Sequence, residues 1–123
     1  MGMYTDFALR FSINKNHEDY GKVLNLLSHM TTVGVDHRYE LPDHPFFQTS
    51  RWDMMAKSGK SIIKGCPYTY DTDIMLIGDF KNYDNEIELF IDWITPYLYD
   101  DLTGYSHYEG SLHTTPYFVE AVD

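Results

Sequence analysis

The chain has 123 residues, 43% hydrophobic and 16% aromatic, with 19 Asp/Glu against 9 Lys/Arg for a formal net charge of −10. That content excludes a disordered polypeptide and is enough for one domain, 1–123, with a core of its own. The charge opposes direct binding to nucleic acid, and the single cysteine, Cys66, excludes an internal disulfide and predicts a reducing, cytoplasmic setting.

Residues 4–13 open with strict alternation. Phe7, Leu9, Phe11 and Ile13 fall on one side and Asp6, Ala8, Arg10 and Ser12 on the other, the period of a strand with one buried face. A helix is predicted next, capped by Asn16, with Glu18 and Asp19 in its first turn and Tyr20, Val23, Leu24, Leu27 and Met30 as its apolar stripe. Thr31, Thr32 and Gly34 end it. The stretch 33–59 is irregular, because Pro42 and Pro45 each disfavour helix in the residue before them. Ser50 and Asp53 have the spacing of a capping box, predicting a short helix over Arg51–Lys57 that stops near Gly59. Ser61–Cys66 and Asp73–Phe80 read as strands joined by a turn at Tyr68-Thr69-Tyr70-Asp71.

A second helix is predicted from about Tyr83 to Thr95, burying Ile87, Phe90, Ile91, Ile94 and Tyr97 or Leu98 and ending at Pro96. Tyr105–Glu109 and Pro116–Val122 have strand character, joined by the loop 110–115. The order β–α–insert–β–β–α–β–β implies an α+β fold. Two helices pack on one face of a mostly antiparallel sheet of about five strands, a ferredoxin-like or related two-layer sandwich. The longest near-apolar stretch, 74–78, is too short to span a membrane. Met1-Gly2 reads as an addition before a start at Met3, and no signal peptide follows.

The charge is unevenly placed. Residues 1–68 hold 8 Lys/Arg and 7 Asp/Glu, whereas residues 69–123 hold 12 Asp/Glu and only Lys81, so +1 and −11 make up the −10. Asp84, Glu88 and Asp92 stand at four-residue steps along the second helix, where like charges repel by roughly 0.2–0.5 kcal/mol per pair. With Asp100, Asp101, Tyr97 and Tyr105 they form the candidate surface for a basic partner, tyrosine giving rigid contact area at low entropic cost. The bland alternative is a solvated helix face. A basic cluster, Arg51, Lys57, Lys60 and Lys64, is the other candidate, with Trp52 placed to stack on a nucleotide or signal molecule. Lys57-Ser58-Gly59-Lys60-Ser61 ends like a phosphate loop, but Met54 stands where its first glycine belongs, which excludes an NTPase.

No metal or cofactor is expected. Asp36-His37, Asp43-His44, His107 and His113 lack the spacing of a zinc motif, and Cys66 has no partner thiol. His44, between two prolines, is expected to pack its ring on Phe46 or Phe47. No nucleophile motif is present, so an enzyme ranks below a binding protein.

Three segments carry a resemblance: Leu41-Pro42-Asp43-His44-Pro45-Phe46-Phe47, Asp79-Phe80-Lys81-Asn82-Tyr83-Asp84-Asn85-Glu86-Ile87-Glu88, and Gly104-Tyr105-Ser106-His107-Tyr108-Glu109. Together with the opening strand and helix they resemble small proteins encoded by tailed bacteriophages. That group has no assigned activity, so no site residues carry over. The resemblance implies an accessory protein in the host cytoplasm, binding the basic surface of a host or phage protein. Acidic examples include inhibitors of nucleic-acid-handling defence systems such as anti-CRISPR proteins. A sheet edge at 105–109 or 116–122 would also offer a route to a homodimer.

Overall fold

The alternation of residues 5–13 becomes the central strand of the sheet. In the computed structural model, which describes residues 4–32, 41–65 and 71–121, β1 (Thr5–Asn14) is followed by α1 (Tyr20–Thr31), β2 (Ile62–Gly65), β3 (Asp71–Phe80), α2 (Glu86–Ile94), β4 (Leu98–Tyr108) and β5 (Thr115–Val119). The expected Asp36-His37 pair, Cys66 and the turn at 68–70 lie outside the described residues. The sheet runs β2-β3-β1-β4-β5 with every neighbouring pair antiparallel. β1 and β2 are therefore parallel, joined through α1 and split by β3. β3 and β4 are likewise joined through α2 and split by β1. Two interlocked split βαβ units make the ferredoxin-like arrangement, to which β5 adds a fifth strand at the edge.

Both helices cover the same side. Tyr20 at the start of α1 shares a 2.6 Å hydrogen bond with Thr72 of β3, and the Tyr117 hydroxyl of β5 donates to Glu88 of α2 at 3.0 Å. Thr72 is the cross-strand partner of Ile13, and Tyr117 faces Gly104, which faces Leu9, so all sit on the face that buries Phe7, Leu9, Phe11 and Ile13. Adding α1's Val23, Leu27 and Met30 and α2's Ile87, Phe90 and Ile94 completes the centre of the core. Side chains of this size contribute roughly 1.5–3 kcal/mol each on burial, which is what holds the helices to the sheet.

Five local readings are corrected. The first helix starts at Tyr20, after Asn16 rather than on it, and Glu18 and Asp19 precede its first turn. The Asn14 carboxamide accepts the Asn16 N–H, and His17 Nδ1 accepts the Asp19 N–H, so a turn consumes these residues before a helix can begin. On α1, Leu26 is buried and Leu24 only half-buried. Arg51–Lys57 forms consecutive turns instead of a helix. Ser50 gives both its N–H and its hydroxyl to Asp84 while its oxygen accepts from Arg51, so its hydrogen bonds are made away from position 53. α2 is shorter than expected at both ends and buries Trp93 where Ile91 is half-buried. β4 starts at Leu98 rather than 105, pairing with β1 through a register shift between Arg10 and Ile13.

The insert between α1 and β2 supplies Phe46, Phe47, Met55 and Ala56, all buried. Phe46 and Phe47 sit on a 3-10 helix, Pro45–Gln48, whose first turn is capped by His44. Their rings join Trp52, Phe90 and Trp93 with centroids 4.9–6.2 Å apart, mostly edge to face. Beside this cluster the insert presses its backbone on the sheet. A Cβ at Gly78 would collide with the Met55 carbonyl oxygen, so only glycine lets the two segments meet.

Candidate functional site

Of the acidic ladder expected along the second helix, Glu88 and Asp92 share one helical register, whereas Asp84 lies outside it, because Asn85 turns left-handed (φ 57°) before α2 begins. Ile87, Phe90 and Ile94 must face the sheet, which turns Glu88 and Asp92 outward, with Asp84 exposed just before the helix. Each of the three carboxylates is held by a side chain from outside the helix, two from the insert and one from β5. Asp84 accepts from the Ser50 N–H and hydroxyl at 3.3 and 3.1 Å. Glu88 accepts from Tyr117 at 3.0 Å, and Asp92 from His44 Nε2 at 2.8 Å. None of the three pairs with a lysine or arginine among the described residues. The ladder is therefore fixed in position without a direct lysine or arginine ion pair, Arg51 reaching only the Ser50 hydroxyl at 3.2 Å, and Asp92 remains 77% exposed.

Burial and the Glu88 carboxylate push the Tyr117 hydroxyl up to about 12, against the lowering effect of its bond with Ser106. Tyr97 is raised from its ordinary value, first by burial and then by nearby Asp19. Glu86, which the sequence pattern sets beside the ladder, is instead fully buried. Its Oε1 accepts the Asp84 N–H at 2.9 Å, and its Oε2 has no hydrogen-bond partner.

The structure divides the other candidate residues among several places. Asp100 pairs in register with Ser12 and faces the side of the sheet away from the helices, and Tyr105, paired with Ala8, does the same at 44% exposure. Asp101 accepts the Ala121 N–H at 3.0 Å. Tyr97 lines a cavity of about 550 Å³ between α1 and the end of α2, with Val23, Leu26, Trp93, Asp19 and Asp43. The indole N–H of Trp93 is buried there without an acceptor.

The basic cluster is spread out. Arg51 lies over the Tyr83 ring at 5.3 Å and lines a smaller cavity of about 260 Å³ with Lys81. Trp52 is packed among Phe46, Phe47 and His29. Lys57 and Lys60 lie in the turns before β2, and Lys64 stands opposite Asp73 on the sheet.

His44 was missed as a positioning residue. Its Nδ1 accepts the Phe46 N–H at 3.1 Å while its Nε2–H donates to Asp92, so one tautomer serves both bonds and ties the insert to the ladder. The His-Pro pair before two phenylalanines is a visible cap pattern, but its acidic partner is 48 residues away. His107 lies 3.5 Å from Asp6 and contacts the Ser111 carbonyl. No group of three metal-ligating side chains occurs among the described residues. No helix of the described residues is long and apolar enough to cross a membrane.

No protein family, curated protein or solved structure matches the chain. What the site does must be argued from its own chemistry.

Proposed function

We propose that this protein is a non-enzymatic binding protein whose target is a cationic surface of another protein. The observation that carries this reading is the ladder: Asp84, Glu88 and Asp92 are held by serine, tyrosine and histidine and make no lysine or arginine ion pair among the described residues. A fold gains little from repelling carboxylates in a row. An arriving partner gains from carboxylates already ordered, because less side-chain entropy is lost on contact. A basic groove that ordinarily holds phosphates suits such a row. A nucleic-acid-handling complex, such as a host defence complex, is thus the target class we favour. Capture of a nucleotide by the lysine cluster is less well supported, because Trp52 is engaged in the aromatic cluster and the lysines are dispersed.

The test is binding of a labelled oligolysine peptide at low and high salt. The variant D84N/E88Q/D92N keeps one acceptor oxygen on each side chain, as each of these bonds requires, and removes three charges. It should weaken binding at least tenfold at low salt and flatten the salt dependence. Equal affinity and equal salt dependence in variant and wild type would refute the ladder as the contact.

A further inference from the structure

The face of the sheet turned away from the helices carries its own pattern, legible only in the strand register. Cross-strand partners share a face, so four rows can be read across the strands. The first holds Asp79, Asp6 and His107. The second holds Ile77, Ala8, Tyr105 and Pro116, and the third Ile62, Met75, Arg10, Thr103 and Phe118. The fourth holds Lys64, Asp73, Ser12 and Asp100. The two middle rows form a largely apolar belt across all five strands. A row with two aspartates borders it on each side, the first also holding His107 and the fourth Lys64.

The belt is accessible. Phe118 is 62% exposed, Ile62 58% and Tyr105 44%, with Met75, Ile77 and Ala8 half-buried between them. Isolated exposed apolar residues are ordinary, but a continuous belt marks a contact surface. We infer that this face seats an amphipathic helix of a partner protein, its apolar stripe on the belt and its flanking lysines or arginines on the two acidic rows. The inference rests on the proposed binding of a cationic partner and assigns it a second, apolar contact.

Dimensions and charge both favour that occupant. Five strands at about 4.8 Å spacing give a belt about 19 Å long, the length of roughly 13 helical residues at 1.5 Å each. Asp6 and Ser12, in the outer rows, are six residues apart, about 20 Å along the strand. A helix about 10 Å across with lysine arms on both sides spans that width. Arg10, the one base within the belt, extends the apolar surface with its stem and asks the helix for a single acceptor. A second copy of this chain fits worse. A two-fold axis along the strands sets Asp6 against Asp6, and an axis along the belt sets Asp79 against Asp73. Each arrangement desolvates like charges.

The probe is a labelled 14-residue synthetic helix with a leucine stripe bordered by lysines. Its control is a scramble of the same composition that cannot segregate the two. The belt variant I62S/F118S, checked for wild-type circular dichroism, should bind the amphipathic helix at least tenfold more weakly and the scramble unchanged. The row variant D6N/D73N, whose carboxamide at position 73 still accepts the Ser12 hydroxyl, should weaken helix binding and reduce its salt dependence. Wild-type affinity for the helix in the belt variant overturns the inference. If D84N/E88Q/D92N loses both peptides at the same time, the proposed function survives without this contact. Failure of wild type to bind either peptide removes both. A wild-type dimer by sedimentation that I62S/F118S converts to monomer would assign the belt to a second copy and overturn the helix as occupant.

Discussion

The two faces of the sheet are made by the same five strands, yet they solve different problems. On the covered face Phe7, Leu9, Phe11 and Ile13 meet two helices and an insert, and each is at most 2% exposed. On the open face the residues between them, Ala8 and Arg10, stay in contact with solvent beside Tyr105 and Phe118. Alternation along a strand separates the faces, but composition alone does not say that one is finished and the other is not. The difference lies in neighbours: the covered side has aromatic partners at packing distance, whereas the open side has apolar side chains ringed by carboxylates. Stability and binding should therefore respond to substitutions on opposite faces.

The largest contrast is between two phenylalanines. Phe46 is fully buried and touches Phe47, Trp52, Phe90 and Trp93. Phe46→Ala should cost about 3–5 kcal/mol in urea unfolding, through lost burial plus a cavity. Phe118→Ala on the open face should change stability by no more than about 0.5 kcal/mol. Similar losses for the two would mean that the open face is packed and the comparison is false.

Gly78 sharpens the same contrast within one strand. Gly78→Ala aims a methyl group at the Met55 carbonyl and the Phe7 ring, both closer than any real contact. Backbone cannot step aside as a side chain can, so about 3 kcal/mol is expected, at the upper end of ordinary overpacking. Its neighbour Ile77 faces the open side, and Ile77→Ala should cost well under half as much. Urea midpoints of the two variants check this.

How much of this could be read in the sequence depends on how far apart the interacting residues are. β1 and α2 were legible because periods of two and 3.6 place their apolar residues within a single segment. The element order and the two-layer class followed from them. The insert was not legible: Phe46, Phe47, Met55 and Ala56 reach the core without regular periodicity, and Ser50 is diverted by an aspartate 34 residues on. The ladder was visible as a spacing, but what holds each carboxylate was not, since His44 and Ser50 come from the insert and Tyr117 from β5, all far from α2 in sequence. The concentration of acid past residue 68 does not become one surface. Asp73, Asp79 and Asp100 go to the open face while Glu88 and Asp92 go to the helix layer. The belt needed register, because Ile62 and Phe118 are neighbours in no local pattern.

Tyr117 links the sheet to the ladder and gives a pH signature. Its hydroxyl ionises at about 12 in the folded chain against 10.0 for an ordinary tyrosine, so the unfolded chain loses that proton first. The Tyr117 contribution is complete below pH 10 and is lost as pH rises toward 12. Tyr117→Phe should cost about 1 kcal/mol near neutrality, the usual net worth of a hydrogen bond. Its urea midpoint should also fall less steeply than wild type between pH 10 and 12. Parallel curves would show that burial and the Glu88 carboxylate do not hold the Tyr117 hydroxyl protonated.

The smallest effect separates the two bonds of His44. Asp92→Asn retains an acceptor for Nε2–H, and the site is exposed, so stability should shift by no more than a few tenths of a kcal/mol. His44→Ala removes that bond and the cap on the Phe46 N–H together, for about 1 kcal/mol, the typical worth of a helix cap. His44→Asn discriminates further. Asparagine keeps a side-chain acceptor for the cap but is too short to reach Asp92, so it should recover most of the stability lost in alanine while leaving Asp92 untethered. If His44→Asn is as unstable as His44→Ala, the bond across 48 residues matters more than the cap. The ladder would then belong to the covered layer's stability, and the open face alone would be left to carry binding.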